Sequence, residues 1–307
     1  MSDILKTQMG SVEWVMLTVL AMVWGGSFFF VETVVDDLPP LTIVTLRVGL
    51  AAPALWIAVV ASGHAVPRRL SVWLAFLVMG TINNAIPFSL LVYGQTGIAS
   101  GVASILNATT PMFTVVVAGL LLADERMTTL KTGGIVLGIA GVAVMIGPEA
   151  LVADGDALLP QIACLGAAVS YAFAAVFGRR FRRFGVAPVV VAAGQVTAST
   201  LVLAPLALIV DDPFAGAMPG FDVWAAVVAL ALLSTAFAYI LFFRILASAG
   251  ATNLSLVTLL VPVFAILLGA VFLGERLDAG QIAGMVLIGS GLLAIDGRAL
   301  RIFAKPA

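Results

Sequence analysis

SILNATTPMFTVVVAGLLLADER, from Ser104 to Arg126, and SLVTLLVPVFAILLGAVFLGER, from Ser255 to Arg276, carry one pattern twice. Each opens on serine, places a proline seven residues later, runs apolar, and closes on glutamate followed by arginine. Pro262 lies 151 residues after Pro111, and Glu275 lies 150 after Glu125, so one residue was gained or lost between the copies. Self-similarity at that period marks a duplicated unit, and the whole chain is to be read as two copies.

The composition says where such a unit lives. The chain has 307 residues, 62% hydrophobic and 10% charged, against about 25% charged in a soluble domain. The charges cluster, and the apolar runs between them are long enough to cross a bilayer. Ten runs stand out, at about 12–34, 40–61, 72–94, 98–122, 129–146, 157–178, 187–210, 222–246, 250–273 and 280–296. Lipid offers the backbone no hydrogen-bond partners, so each is expected to be helical. The expected fold is an all-α integral membrane protein. The first run lacks the ordered regions of a cleavable leader and reads as a retained span. A net charge of −1 gives no basic field for nucleic acid. One cysteine, Cys164, and one histidine, His64, leave no disulfide framework and no multi-histidine metal site, so no cofactor or metal is expected.

Lys and Arg set an orientation. Lys6, Arg68, Arg69, Arg126, Lys131, Arg179, Arg180, Arg182, Arg183, Arg244, Arg298, Arg301 and Lys305 fall on one side. Arg276 falls on the other, with Asp36, Asp37, Glu149, Asp154, Asp156, Asp211, Asp212 and Asp222. The basic side is expected to be cytoplasmic, with both termini inside a bacterial inner membrane. Trp73 pairs with Trp224, Trp24 with Tyr171, Pro40 with Pro188, Arg47 with Gln195, Gly134 with Gly284 and Gly141 with Gly291. The halves, 12–146 and 157–296, hold five spans each. An odd number inserts the second copy upside down relative to the first, an inverted repeat whose binding site is expected near the midplane.

The run Trp24, Gly25, Ser27, Phe28, the arginine Arg47, and then Pro-x-Phe with an apolar stretch closing on Glu resembles the EamA family of the drug/metabolite transporter superfamily. Within it, the chain looks most similar to amino-acid exporters of the YddG type. The resemblance covers about 12–296. It implies ten helices, a central cavity, and alternating access as the two halves rock. Gln195 stands where the pattern has arginine and Tyr171 where it has tryptophan, so the second half departs from the first. The distantly related small multidrug transporters use a mid-membrane glutamate in their first helix. Here Glu13 and Glu32 sit at the ends of that span, which argues against that type of proton–cation exchange.

Several residues could line a path. Ser100, Ser104, Asn107 and Pro111 share a helical stripe, answered by Ala251, Ser255, Thr258 and Pro262 in the second copy. Polar stripes inside hydrocarbon face protein or water, and proline permits bending. The competing reading is interhelical glue. Gly80, Asn83, Pro87 and Gly94 share a face of the third span, with Asn84 and Tyr93 beside it, and Ser234, Phe237, Ala238 and Tyr239 answer in the eighth. Asn83 either touches substrate or holds the helix around Pro87. Trp24 and Tyr171 form a stacking wall or simply pack. Arg47, the one basic residue deep in a span, either meets a carboxylate, or snorkels outward or ties carbonyls across a helix pair, with the structural role preferred. Gly134-x-x-x-Gly138 and Gly280-x-x-x-Gly284 mark the fifth and tenth spans as scaffold.

There is no phosphate-binding Gly-x-x-x-x-Gly-Lys-Ser/Thr loop and no Ser/His/Asp constellation, so ATP hydrolysis by such a loop and triad catalysis are not expected. The expectation is an exporter of amino acids or related small metabolites, monomeric, with the lipid bilayer and a small molecule as partners. A drug or nucleoside exporter is the alternative within transport. An enzyme acting on lipid-linked substrates is the alternative outside it, though the titratable groups it would need at one membrane face are not found.

Overall fold

The computed structural model describes residues 9–122, 127–147, 157–216 and 218–296, the side chains of 251 and 252 excepted. Glu125, Arg126, the 148–156 connection and the charges near both termini lie outside the described residues. Nine helices among the described residues are long and apolar enough to cross a membrane: α1 (Ser11–Glu32), α2 (Pro40–Ala61), α3 (Leu70–Gln95), α4 (Ser100–Leu121), α5 (Thr129–Ile146), α6 (Leu158–Phe184), α7 (Pro188–Val210), α8 (Phe221–Gly250) and α10 (Ala279–Asp296). A shorter apolar helix, α9 (Val257–Leu273), completes ten. Pro40 and Pro188 open α2 and α7 from the first helical position, where their missing N–H costs nothing.

Three helices change winding part-way. α3 carries a π-helical turn at Thr81–Ala85, and α8 carries one at Leu232–Phe237, the matching place in the second copy. A third, Gly269–Leu273, ends α9. α4 is broken into Ser100–Asn107 and Thr110–Leu121. The Thr109 and Thr110 hydroxyls donate back to the Leu106 and Asn107 carbonyls at the break. The second of these covers the carbonyl that Pro111, lacking an N–H, leaves free.

The second copy breaks elsewhere. Gly250, at φ 78°, kinks the end of α8, the helical winding runs on over 251–254, and the chain turns again at Ser255 and Leu256 before α9. The expected stripe from Ala251 to Pro262 is therefore not one face of one helix. Pro262 lies inside an unbroken segment, Val257–Leu268, whereas Pro111 follows a break.

The principal packing runs between the halves, not within them. α5 lies on α10, α2 on α7, α1 on α9 and α8, α6 on α3 and α4, α3 on α7 and α2 on α8. Exchanging the two copies converts each of these pairs into another or into itself, as an inverted repeat requires. The sequence halves are therefore interleaved. Bodies that rock against one another cannot be the halves themselves, because α1–α9 and α4–α6 would have to part.

Glycines permit the closest crossing. A Cβ at Gly134 would lie 2.6 Å from the Gly291 carbonyl oxygen, and one at Gly141 would lie 2.8 Å from that of Gly284. The spacing of seven, shared by α5 and α10, makes this contact. Gly138 instead meets the Met112 side chain, and at Gly280 the nearest neighbours are Asp278 Oδ1, from the loop before α10, at 3.2 Å and, across the crossing, Val144 O at 3.6 Å. Buried apolar residues form two clusters. One joins α2 and α7 with α3 and the first part of α8. The other joins α4, α5, α9 and α10 with much of α1. Tyr171 packs against both.

Candidate substrate site

A polar tier lies along the junction of the two clusters. It begins at the two π-helical turns, which point adjacent residues inward that an ordinary helix would spread around its circumference. From the first come Asn83 and Asn84. The Asn83 amide nitrogen donates to the Gln195 side-chain oxygen at 3.3 Å, to the Tyr239 hydroxyl at 3.2 Å and to Asn84 Oδ1 at 3.3 Å. The Tyr239 hydroxyl donates to Asn84 Oδ1 at 3.3 Å. From the second turn comes Thr235, whose oxygen accepts from Arg47 Nε at 3.0 Å. The Arg47 guanidinium carbon sits 3.7 Å from the centroid of the Phe88 ring, and that ring meets Tyr171 at 6.5 Å.

The arrangement repeats with the copies exchanged. Arg47 of α2 reaches the turn in α8, and Gln195 of α7, its counterpart, reaches the turn in α3. Phe88 and Tyr239 also hold equivalent places. Ser199 fixes the α3–α7 contact, its hydroxyl lying 3.0 Å from the Gly80 carbonyl and 2.7 Å from that of Gln195. A Cβ at Gly80 would collide with the Gln195 carbonyl, so only glycine lets these backbones approach.

Pro87 shows how α3 pays for its shape. In a π turn, each N–H reaches the carbonyl five residues back, as Ile86 N does to Thr81 O. Pro87 has no N–H to give Ile82 O. The Ser170 hydroxyl of α6 donates to that oxygen instead, at 2.6 Å. In α8 the same place holds Ala238, whose N–H does reach Leu233 O. The turn therefore exists with or without proline.

The other expected residues are scattered. Ser104 is wholly buried, with its hydroxyl turned back on Gly101 O at 2.7 Å. Asn107 ends the first segment of α4, partly exposed, with Oδ1 buried and unpartnered. Thr258 donates to Ser255 O at 2.7 Å, and Ser255 lies exposed in the turn before α9. Trp24 stacks obliquely on Phe242 at 5.6 Å, on the side of the second cluster. Tyr93 and Phe237 are exposed and stand apart from the tier. Asn83, Tyr171 and Tyr239 are thus brought together, and Ser104, Tyr93, Phe237 and Ser255 are not.

Reading the sequence missed Asn84, Phe88, Gln195 and Thr235 as members of the tier. Two signals for them were present: the Arg47–Gln195 pairing and the Asn-Asn doublet. It also missed two carboxylates that cap helices across the repeats. Glu275 Oε1 accepts from Ser100 N at 2.9 Å, while its Oε2 accepts from Ser100 Oγ at 3.0 Å and Gly101 N at 3.1 Å. Asp211 accepts from the Thr42 N–H at 2.7 Å and from its hydroxyl at 2.9 Å. Carboxylates at helix N-termini are favoured by the unpaired N–H groups and the dipole. Nearby, Gln95 Nε2 donates to Glu32 Oε2 and to Phe28 O, each at 2.8 Å.

Ten apolar helices in inverted repeats, with a polar tier contributed by both, define a multi-pass membrane transporter. The EamA-like transporter family profile matches residues 12–147 and 158–295, and the chain belongs to that family. It is 27% identical to the uncharacterized transporter YoaV of Bacillus subtilis over 91% of this chain and 95% of that one. It is 28% identical to the inner membrane transporter YedA of Escherichia coli, covering 85% and 83%. A Salmonella typhimurium protein named a probable amino-acid metabolite efflux pump is 27% identical, covering 89% and 91%. A solved crystal structure at 21% identity has the same fold, with a TM-score of 0.68 over 97% of this chain and 100% of that one.

Proposed function

We propose that this transporter exports amino acids or closely related zwitterions across a bacterial inner membrane by alternating access, with the tier of Asn83, Gln195, Tyr171 and Tyr239 as its binding level. The observation that carries this reading is the tier itself. Amides, phenols and one guanidinium converge there from α2, α3, α6, α7 and α8, although polar groups within a bilayer are costly. Asn83, Tyr171 and Tyr239 are less completely buried than Asn84 and Gln195 beside them. The tier holds no carboxylate, which suits a neutral or zwitterionic solute better than a lipophilic cation. The name of the Salmonella relative points to amino acids, and YedA to the inner membrane. The distribution of Lys and Arg among the loops supports an orientation with both termini in the cytoplasm.

Counterflow into liposomes tests it. Vesicles loaded with unlabelled L-phenylalanine or L-leucine are expected to accumulate the labelled amino acid, and Asn83→Ala is expected to raise the half-saturating concentration. Exchange of nucleosides or lipophilic dyes, with none of any amino acid, would favour the drug or nucleoside exporter instead.

A further inference from the structure

The tier leaves hydrogen-bond donors without acceptors, most of them on Arg47. Arg47 is 6% exposed, well inside α2. Its Nε donates to Thr235 Oγ1, whose hydroxyl in turn donates to Leu230 O at 3.0 Å. Its face is covered by Phe88. Its terminal nitrogens make no hydrogen bond among the described residues. The ionisable groups that act on it are the phenols of Tyr171 and Tyr239, and no acid is among them. A second unpaired donor lies in the neighbouring Asn83–Tyr239 network. Asn84 is wholly buried, its oxygen accepts from Asn83 and Tyr239, and its Nδ2 has no partner.

A buried cation with a ring and a hydroxyl as its company is incompletely compensated, and the missing component is an anion. The guanidinium presents a planar fork that fits a carboxylate through two parallel hydrogen bonds. The rest of the tier is neutral, so the site balances one negative charge, not the two of a phosphate monoester. Nor is the Thr235 contact enough to explain the arginine. Gln195, its counterpart in the other repeat, spans the same gap without charge, through its bond with Asn83.

We propose that Arg47 is the carboxylate-recognition point of the transporter, so that a single carboxylate is an obligatory part of its substrate. This rests on the small-metabolite transport reading but adds a chemical requirement to it. It assigns to Arg47 a contact with the transported molecule in addition to its tie to α8.

A panel differing in one group at a time tests it: L-phenylalanine, L-phenylalanine amide, 3-phenylpropionate and phenethylamine. Each is offered to the purified full-length protein in thermal unfolding and to proteoliposomes in counterflow. In the wild type, the carboxylate is expected to improve apparent affinity about 10–100-fold over the amide, the range for a charge-assisted hydrogen bond. Arg47→Gln is expected to bring acid and amide to near equality, and Arg47→Lys to restore part of the preference. If Arg47→Gln does not fold, the wild-type panel still decides. Amide and acid bound and exchanged alike would overturn the proposal and leave amino-acid export standing. Exchange of 3-phenylpropionate without that of phenylalanine would do the reverse. No stabilisation and no exchange by any carboxylate would also overturn it, as would an Arg47→Gln variant that keeps the acid preference.

Discussion

Ser170 and Pro87 are far apart in sequence and act on one oxygen atom. Pro87 leaves Ile82 O without its helical donor, and the Ser170 hydroxyl supplies one. In a membrane interior that oxygen has no water to turn to. Ser170→Ala is therefore expected to cost about 1–3 kcal/mol. The loss should shrink in a Pro87→Ala background, because an alanine at that position would bring its own N–H to Ile82 O, as Ala238 does to Leu233 O. A double-mutant cycle on thermal unfolding in detergent measures this coupling. An equal loss in both backgrounds would show that Ser170 merely packs. The proline was legible in the sequence, but its consequence was not. Spacing says that a carbonyl is freed, and only the fold says which side chain arrives. The same holds for Arg47. Its depth in the span and its pairing with Gln195 were readable, whereas Phe88 and Thr235 come to it from α3 and α8 through two turns that the helical period does not announce.

The helices themselves were nearly all legible, because hydrocarbon forces each apolar run into a helix and leaves only its ends open. The predicted span 40–61 coincides with α2 and 129–146 with α5. The region from 246 to 257 was not legible. The sequence there mixes apolar residues with Ser248, Thr252, Asn253 and Ser255 and has one glycine, and spacing alone does not place the kink at Gly250 or the turn at Ser255. Caps across the repeats were equally hidden. Glu275 was visible as the acid closing a repeated motif, but its partner, the start of α4, is a tertiary fact. Three hydrogen bonds to one carboxylate tie α9 to α4 on this face, and Asp211 ties α7 to α2. If access alternates, this tie has to open. Glu275→Gln exchanges an oxygen for an NH2 that must face the N–H of Ser100 or Gly101, and should weaken the tie by about 1.5–3 kcal/mol. Ser104, wholly buried one turn along α4, then serves as a reporter. In a Cys164→Ala background, Ser104→Cys is expected to react with N-ethylmaleimide about tenfold faster or more when Glu275→Gln is added. An unchanged labelling rate would mean that the α4 start is held by packing and not by the carboxylate.

At the scale of the molecule, the inverted duplication has a consequence for folding. A duplicated gene suggests two modules, each able to stand alone. The packing argues otherwise, because the principal partners of α1, α2, α4, α5 and α6 all belong to the other half. A chain ending at 147 would leave the glycine faces of α5 and the buried faces of α2 against lipid, with Arg47 deprived of its Thr235 contact. Lipid is as apolar as the lost leucines and alanines, so the loss is of close packing and of polar partners, not of hydrophobic burial. The break in helix–helix contact at Gly134 and Gly141 is the most costly part, since backbone-to-backbone fit has no substitute in fluid hydrocarbon. We therefore expect residues 1–147, expressed alone with native targeting, to insert but not to fold. The measurements are limited proteolysis and detergent-solubilised size exclusion, with the full chain as reference. The half should be cleaved within α2 and α5 and elute as aggregate or as a dimer of half-chains. Such a dimer requires half-chains inserted in both orientations, because α2 and α5 pair with their own counterparts across a pseudo-twofold axis in the membrane plane. A half-chain that runs as a protease-resistant monomer, with a cooperative thermal transition like that of the full protein, would show that the interleaved packing is dispensable. It would also return the sequence halves to consideration as the rigid bodies that move.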